Sequence, residues 1–348
     1  IGETDYAHMT PSELRLAVGK KSHCSVLFKV TGNFSDVFAA HTTWSSYADM
    51  LRIAKTYKFG LQLPSTKSKS VFFSSYPATL SSIDDYYTTD TNMMITETTN
   101  TALTMGLYSA LKPESLLSWQ RAIVANRMAI DAPSWVNIFK FANSGTYNNQ
   151  WMVLDAKKFT VGKPLPADSF WIIETIPGNT YQMDATQILN YGYWPSYNRP
   201  FFPQVFDIMG YPAFVSRFGN ESTYSASSRA EIFRRDQASV TSIQDLQRIM
   251  QYNKFQTDPY SDGDPSETIA SRYDLDTTDP VSFGAIDAKV TSANSLNNGL
   301  YSWIRAGPTH DDQVPFRWSH GFADIPHEGQ PDLFDFDWVQ IQQNNLLQ

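Results

Sequence analysis

Only one cysteine, Cys24, occurs in the 348 residues of the chain. That scarcity excludes an intrachain disulfide and a cysteine-built metal site. Three roles remain: a buried apolar residue, an intermolecular bridge, or a reactive thiol. Positive charge is also in short supply. Lys and Arg number 27 against 35 Asp and Glu, a formal net charge of −8. No basic stripe is present, so a nucleic-acid partner is not expected. No apolar run approaches the roughly 20 residues of a membrane-spanning helix. The opening Ile1-Gly2-Glu3-Thr4-Asp5 lacks the pattern of a signal peptide, and a signal would lie upstream if the chain comes from a precursor. A Gly-x-Ser-x-Gly elbow, a phosphate loop and a dinucleotide fingerprint are all missing. His310, His320 and His327 match no zinc spacing. Asp258, Asp262, Asp264 and Glu267 fail the calcium-loop spacing and read as a solvated turn. Neither a metal nor a cofactor is expected.

What is present suits a folded core. Hydrophobic residues make up 42% of the chain and aromatics 14%. The tryptophans are spread along its length, which favours packing over a single binding patch. Thr10-Pro11-Ser12-Glu13 reads as a helix start. A strand over 24–30, a turn at Thr31-Gly32-Asn33 and a second apolar run over 37–41 predict a hairpin. Tyr47, Met50, Leu51, Ala54 and Tyr57 recur at helical spacing and predict a helix over 45–57. Further strands are expected over 71–75, 92–98, 150–155 and 169–175. Further helices are expected over 113–130, 134–142, 184–191 and 242–252. Exposed loops are expected over 257–266 and 274–280. The chain thus reads as an upstream segment 1–23, one α+β domain over 24–341, and a polar, frayed tail 342–348.

Cys24 opens the alternating run Cys24-Ser25-Val26-Leu27-Phe28-Lys29-Val30, directly behind the polar stretch Gly19–His23. The plain alternative for a lone cysteine is core packing. A thiol at the first position of a strand, behind a cleavable segment, is instead where an N-terminal nucleophile sits. If the His23–Cys24 bond breaks, the freed α-amino group becomes the base, with a reference pKa of about 7.7–8.0. The same thiol can break that bond by attacking the His23 carbonyl and shifting the acyl group to sulfur. His41 is a second candidate base, with a satisfied core histidine as its plain alternative. An oxyanion needs rigid amide or hydroxyl donors. The clusters Glu97–Asn100 and Trp194–Asn198 contain such groups, although composition alone does not single them out.

The motifs, taken as an ordered set, resemble the phospholipase B-like family. These are lysosomal and secreted glycoproteins of the N-terminal nucleophile hydrolase superfamily. The markers are Cys24–Val30, His41-Thr42-Thr43-Trp44, Phe73-Ser74-Ser75-Tyr76-Pro77, Asn143–Trp151, Tyr193–Asn198, Arg229–Gln237 and Ala306-Gly307-Pro308-Thr309. The resemblance implies a four-layer αββα sandwich, with two mainly antiparallel sheets and helices on both outer faces. It implies self-cleavage between His23 and Cys24, with Cys24 as nucleophile. His41 and Trp44 would line the site. Thr99 and Asn198 would orient the nucleophile or hold the oxyanion. Arg229 would place positive charge near the sulfur and depress the thiol pKa. It further implies a companion N-terminal fragment that stays associated after cleavage. Family members carry downstream cysteines that this chain lacks, so its loops must be held by packing.

The leading expectation is therefore hydrolysis of phospholipid acyl esters, with N-acyl amides as the rival substrate class. A catalytically silent glycoprotein that serves in binding is the alternative of a different kind. A papain-like protease fits poorly, because the surroundings of Cys24 do not match one. Asn33-Phe34-Ser35 and Asn220-Glu221-Ser222 are acceptor sequons, so Asn33 and Asn220 are candidate glycosylation sites. A lysosomal or secreted location follows from the resemblance. The sequence is silent on oligomeric state.

Overall fold

The alternating run after Cys24 forms strand β1 (Ser25–Val30), and it is buried on both faces. It pairs antiparallel with β2 (Val37–Ser46) through the expected hairpin. The computed structural model describes residues 9, 13, 17 and 24–343. The helix start at Thr10-Pro11 and the residue His23 lie outside the described residues, although Glu13 and Ala17 are helical.

Two antiparallel sheets dominate. The first joins β1 and β2 to β10 (Tyr193–Ser196), β11 (Phe283–Ser292), β12 (Tyr301–Ala306) and β15 (Val339–Gln342), in the order β10-β1-β2-β11-β12-β15. The second runs in sequence order from β3 (Ile53–Lys58) and β4 (Ser70–Ser75) to β5 (Tyr86–Thr89) and β6 (Met93–Thr99). It continues through β7 (Asn149–Asp155) and β8 (Phe170–Ile176) to β9 (Asn179–Asp184). A short ribbon, β13 (Phe316–Arg317) with β14 (Leu333–Phe334), stands apart from both.

Strand alternation assigns the layers. Val26, Phe28, Val37 and Ala39 point inward and pack between the sheets with Phe72, Met94, Met152 and Phe170. Leu27, Phe38 and Ala40 point outward, under α3 (Ser228–Asp236) and α4 (Ile243–Met250). The outer face of the second sheet buries Phe73, Ile95 and Trp151 under α1 (Ser118–Met128) and α2 (Ala132–Phe139). This is the expected four-layer αββα sandwich. The α2 helix starts cleanly: the Asp131 carboxylate accepts from the Ser134 amide at 2.9 Å, and a proline sits in its first turn. One register shift lies in β11 between Ala285 and Asp287, where the strand carries an extra residue opposite β2.

Two expectations fail and a third holds only in part. The segment 45–57 is not a helix; only Tyr47–Asp49 makes a single 3-10 turn, and Ile53–Lys58 is β3, an edge strand on β4. Hydrogen-bond partners more than a dozen residues away decide its form, and local periodicity cannot show them. The tail does not fray at 342. Gln342 pairs in β15, and the buried Gln343 side chain accepts from Thr88 Oγ1 and donates to the Ser70 carbonyl, both at 3.0 Å. The acidic segment 258–267 is a loop with Asp262 exposed, as expected, except that Asp258 is buried and paired with Arg235 at 2.8 Å.

The outer layer over the second sheet depends on Trp135. Its ring stacks on Phe139 at 4.7 Å between centroids and lies 5.3 Å from Trp151. Trp135→Ala is expected to cost about 3–5 kcal/mol of unfolding free energy. Urea denaturation measures this, and a loss below about 1 kcal/mol would refute the packing account.

Candidate functional site at Cys24

Cys24 is fully buried immediately before β1 and has a backbone φ of +100°. A side chain with a Cβ avoids that region, at a cost of roughly 1–3 kcal/mol. The surroundings hold it there. Arg229, in the first turn of α3, donates from Nη1 to the Cys24 carbonyl at 2.7 Å and from Nη2 to the Tyr197 carbonyl at 2.9 Å. Its guanidinium lies 4.2 Å from the ring centre of Trp44, near the end of β2. Trp44 is fixed in turn by an Nε1–H bond to the Ile269 carbonyl at 3.2 Å. The Trp44 backbone amide donates toward the Cys24 sulfur.

Burial pushes the Cys24 thiol well above its usual pKa, and the Glu97 carboxyl adds to this. The Trp44 amide and Lys289 pull the other way without prevailing. The expected depression by Arg229 is therefore not what this chain shows with residues 23 and 24 joined. Both Nη atoms of Arg229 serve backbone carbonyls, and burial lowers its own pKa to about 10.

Thr99 and Asn198 meet across the two sheets. Asn198 follows β10 at φ +65° and donates from Nδ2 to the Thr99 carbonyl at 2.8 Å. The Thr99 hydroxyl lies 3.1 Å from the Tyr147 hydroxyl, which also reaches Glu97 Oε1 at 3.2 Å. Asn149 Nδ2 donates to the other Glu97 oxygen. Burial, then Asp85, pushes the Glu97 carboxyl well above the usual carboxylate range. The blocks quoted from sequence contain Glu97, Tyr147 and Asn149, but nothing in residue type marked them as neighbours of Cys24.

His41 lies on the inward face of β2, beside a cluster of buried charges rather than a lone carboxylate partner. Asp84 accepts from Arg52 at 2.7 Å and from Lys289 at 2.8 Å; Asp287 accepts from the same two cations at 2.8 and 2.6 Å. His41, Asp84 and Asp287 bring potential ligand atoms within 4.8 Å of one another. The two cations already balance the two carboxylates, so the charge there does not call for a metal. Burial, followed by Lys289, pushes the His41 imidazole down to about 3. It stays neutral at mild pH and makes a poor proton acceptor, which weighs against its role as base. No sequence signal pointed to Arg52, Asp84, Asp287 or Lys289.

A cavity of about 240 Å³ lies against this site. Trp44 and Arg229 form part of its wall, together with Phe214 and Phe218, and the loop residues Asp262 and Glu267 face them. Cys24 itself does not line it. Met9, from the upstream segment, packs on Phe214, and its carbonyl accepts from Arg217. Both sequon asparagines, Asn33 and Asn220, are exposed. Among the described residues no helix is long and apolar enough to cross a membrane.

The comparisons with known proteins agree with the motif reading. The Phospholipase B family model matches residues 3–341, and the chain belongs to that family. Phospholipase B-like protein B of Dictyostelium discoideum is 44% identical over 93% of this chain and 58% of that protein. Phospholipase B-like 1 of Rattus norvegicus is 41% identical over 94% of this chain and 60% of that protein. Phospholipase B of Crotalus adamanteus is 38% identical over 98% of this chain and 62% of that protein. The chain thus spans about three fifths of the length of these relatives. Among solved structures, a mutant of the conjugated bile acid hydrolase from Clostridium perfringens overlays 81% of this chain and 89% of that one. The TM-score is 0.43 and the identity 9%.

The charge cluster yields two expected outcomes. Lys289→Met leaves two buried carboxylates on one cation and is expected to destabilise the fold by about 3–5 kcal/mol; an unchanged urea midpoint would contradict that. For His41, the unfolded chain takes up a proton below its usual value near 6.5, and the folded chain only near 3. Its stabilising contribution is complete above pH 6.5 and is lost as pH falls toward 3, by up to about 1.4 kcal/mol per unit. The stability difference between the parent and His41→Gln should shrink by about 2 kcal/mol between about pH 7 and 4.5. A pH-independent difference would rule this out.

Proposed function

We propose that this chain is an acyl hydrolase whose nucleophile is Cys24, released by self-cleavage of the His23–Cys24 bond. The observation that carries the reading is the Cys24 junction itself: a strained φ immediately before strand β1, with a donor amide at the sulfur and Arg229 on the Cys24 carbonyl. Relaxation of that φ on scission favours breakage over a normal peptide bond.

In the intact chain the Cys24 sulfur attacks the His23 carbonyl carbon. The C–N bond breaks, the thiol proton passes to the leaving nitrogen, and a thioester forms. Water hydrolyses the thioester to a carboxylate and regenerates the thiol, now beside a free α-amine. In the mature protein that amine takes the thiol proton, and the thiolate attacks an acyl carbonyl. Asn198 Nδ2 and the Trp44 amide are the donors proposed to hold the oxyanion. The ammonium returns its proton to the leaving group, and water releases the acid from the acyl-enzyme. Arg229 positions the Cys24 backbone through its carbonyl, and Trp44 supports Arg229. His41 keeps a neutral, structural place beside Asp84, Asp287 and Lys289.

The substrate proposed is the acyl ester of a phospholipid, in line with the names of the relatives. An N-acyl amide is the second reading, because the first bond this thiol would break, His23–Cys24, is itself an amide. The cavity beside Trp44 and Arg229 is the proposed substrate entrance, and Met9 packs on its Phe214 wall. A lysosomal or secreted setting, glycans on Asn33 and Asn220, and a companion N-terminal fragment that stays bound complete the proposal.

Intact mass and N-terminal sequencing after incubation at acidic pH provide the test. A new terminus at Cys24 is expected in the parent and not in Cys24→Ala. If both stay whole at every pH tried, self-processing is wrong. For the substrate, the cleaved protein should release fatty acid from a diacyl phospholipid, or acid from an N-acyl amide. Inactivity on both, with the Cys24 terminus in place, would favour a binding glycoprotein instead.

A further inference from the structure

A second cleft lies away from Cys24, on the outer face of the second sheet, between β3–β5 and α1. Its volume is about 370 Å³, within the roughly 300–1,000 Å³ of small-molecule sites. Val71, Phe73 and Ile123 line it, and Phe59, Leu80 and Trp119 form a rim that leaves 47%, 73% and 43% of each residue exposed. Soluble surfaces seldom expose such a concentration of large apolar side chains without a use.

Of the polar residues in the lining, which also include Ser81, Tyr57 and Tyr87, Asn126 and Arg127 define the chemistry of an occupant. Asn126 is 1% exposed. Its Oδ1 accepts from Trp135 Nε1 at 2.8 Å. An indole N–H can only donate, so the other amide atom is the NH₂ group. That Nδ2 is buried without a hydrogen-bond partner, a costly state that a bound acceptor relieves. Arg127 follows in the same wall, with its guanidinium 4.8 Å from the Phe59 ring centre and its Nη atoms donating to the Tyr57 and Ser68 carbonyls at 2.9 and 3.3 Å, so that it offers an occupant its charge and its remaining N–H. The lining contains no acidic side chain; Asp90 is near enough to act on Arg127 but lies outside it. One cation and one unsatisfied donor in a mainly apolar trough match an anionic head on a hydrocarbon chain.

We propose that this cleft binds a long-chain carboxylate, with the carboxylate at Asn126 and Arg127 and the chain along the Val71–Phe73–Ile123 wall. The site is separate from the chemistry at Cys24 and does not depend on it.

Isothermal titration of dodecanoate into the uncleaved Cys24→Ala chain tests this directly, with dodecanol as the uncharged control. Saturable binding is expected, at least about tenfold tighter for the acid than for the alcohol. Leu80→Asp, on an exposed rim where folding is unaffected, should weaken it at least about tenfold. Ile123→Trp, which fills the trough, should abolish it. No saturable binding, equal affinity for acid and alcohol, or unchanged affinity in both variants would overturn the proposal. Because the Cys24 thiol is absent throughout, failure here leaves the hydrolase reading untouched, and failure of self-cleavage leaves this one untouched.

Discussion

The buried square of Arg52, Asp84, Asp287 and Lys289 is the interaction on which the arrangement of this molecule depends. Asp287 and Lys289 belong to β11 in the first sheet; Asp84 lies in the turn entering β5 of the second, and Arg52 just ahead of β3. Two sheets held by apolar contact alone can slide, because the hydrophobic effect has no direction. Four charges that must all be paired allow very little sliding. Removing one partner strands a charge in a medium that cannot solvate it. The square contributes less to net stability than to fixing one sheet against the other at the end where β1 begins.

That placement explains the electrostatics around Cys24. Lys289 favours the thiolate and Asp84 opposes it, so the square largely cancels itself at the sulfur. Burial is left to govern, and it keeps the thiol protonated while the upstream segment remains attached. Glu97, pushed up by the same burial, reinforces that state. The site as described is therefore closed and quiet: its thiol is neutral, His41 is neutral, and its arginine is occupied by carbonyls. Under the self-cleavage proposed above, charge would enter it with the freed α-amine.

The hairpin at 24–46, the strands near 71, 93, 150 and 170, and the helices near 120, 135 and 245 were legible because their partners are close in sequence or their patterning is clean. The candidate residues that meet around Cys24 stood out only as members of ordered blocks; residue type alone singled out the cysteine. What stayed hidden has a common cause. β11 is a ten-residue, fully buried central strand, yet Asp287 and Lys289 make it read as polar. Their charges are balanced by Arg52 and Asp84, which lie 235 and 205 positions away. At Ile53–Lys58 the deciding partner was again remote, and an accidental helical spacing concealed an edge strand. The helix Ser228–Asp236, which carries Arg229, is rich in charge and has a weak apolar face, so periodicity could not find it.

The extra residue in β11 sets which side of the sheet each of its neighbours meets. Phe283 and Ala285, ahead of the shift, pack with Trp44 in the layer outside the first sheet, whereas Asp287 and Lys289, behind it, face the second sheet. Without the shift all four would share one side, since they are separated by even steps. Ile286 acts as a phase slip that lets one strand serve two compartments. Its sequence has meaning only in that phase: with Ile286 drawn into regular alternation instead of bulged out, Asp287 and Lys289 would turn toward the layer that holds Phe283 and Ala285, with every residue type unchanged. At this point of the fold, the bulge is as strictly specified as any side chain.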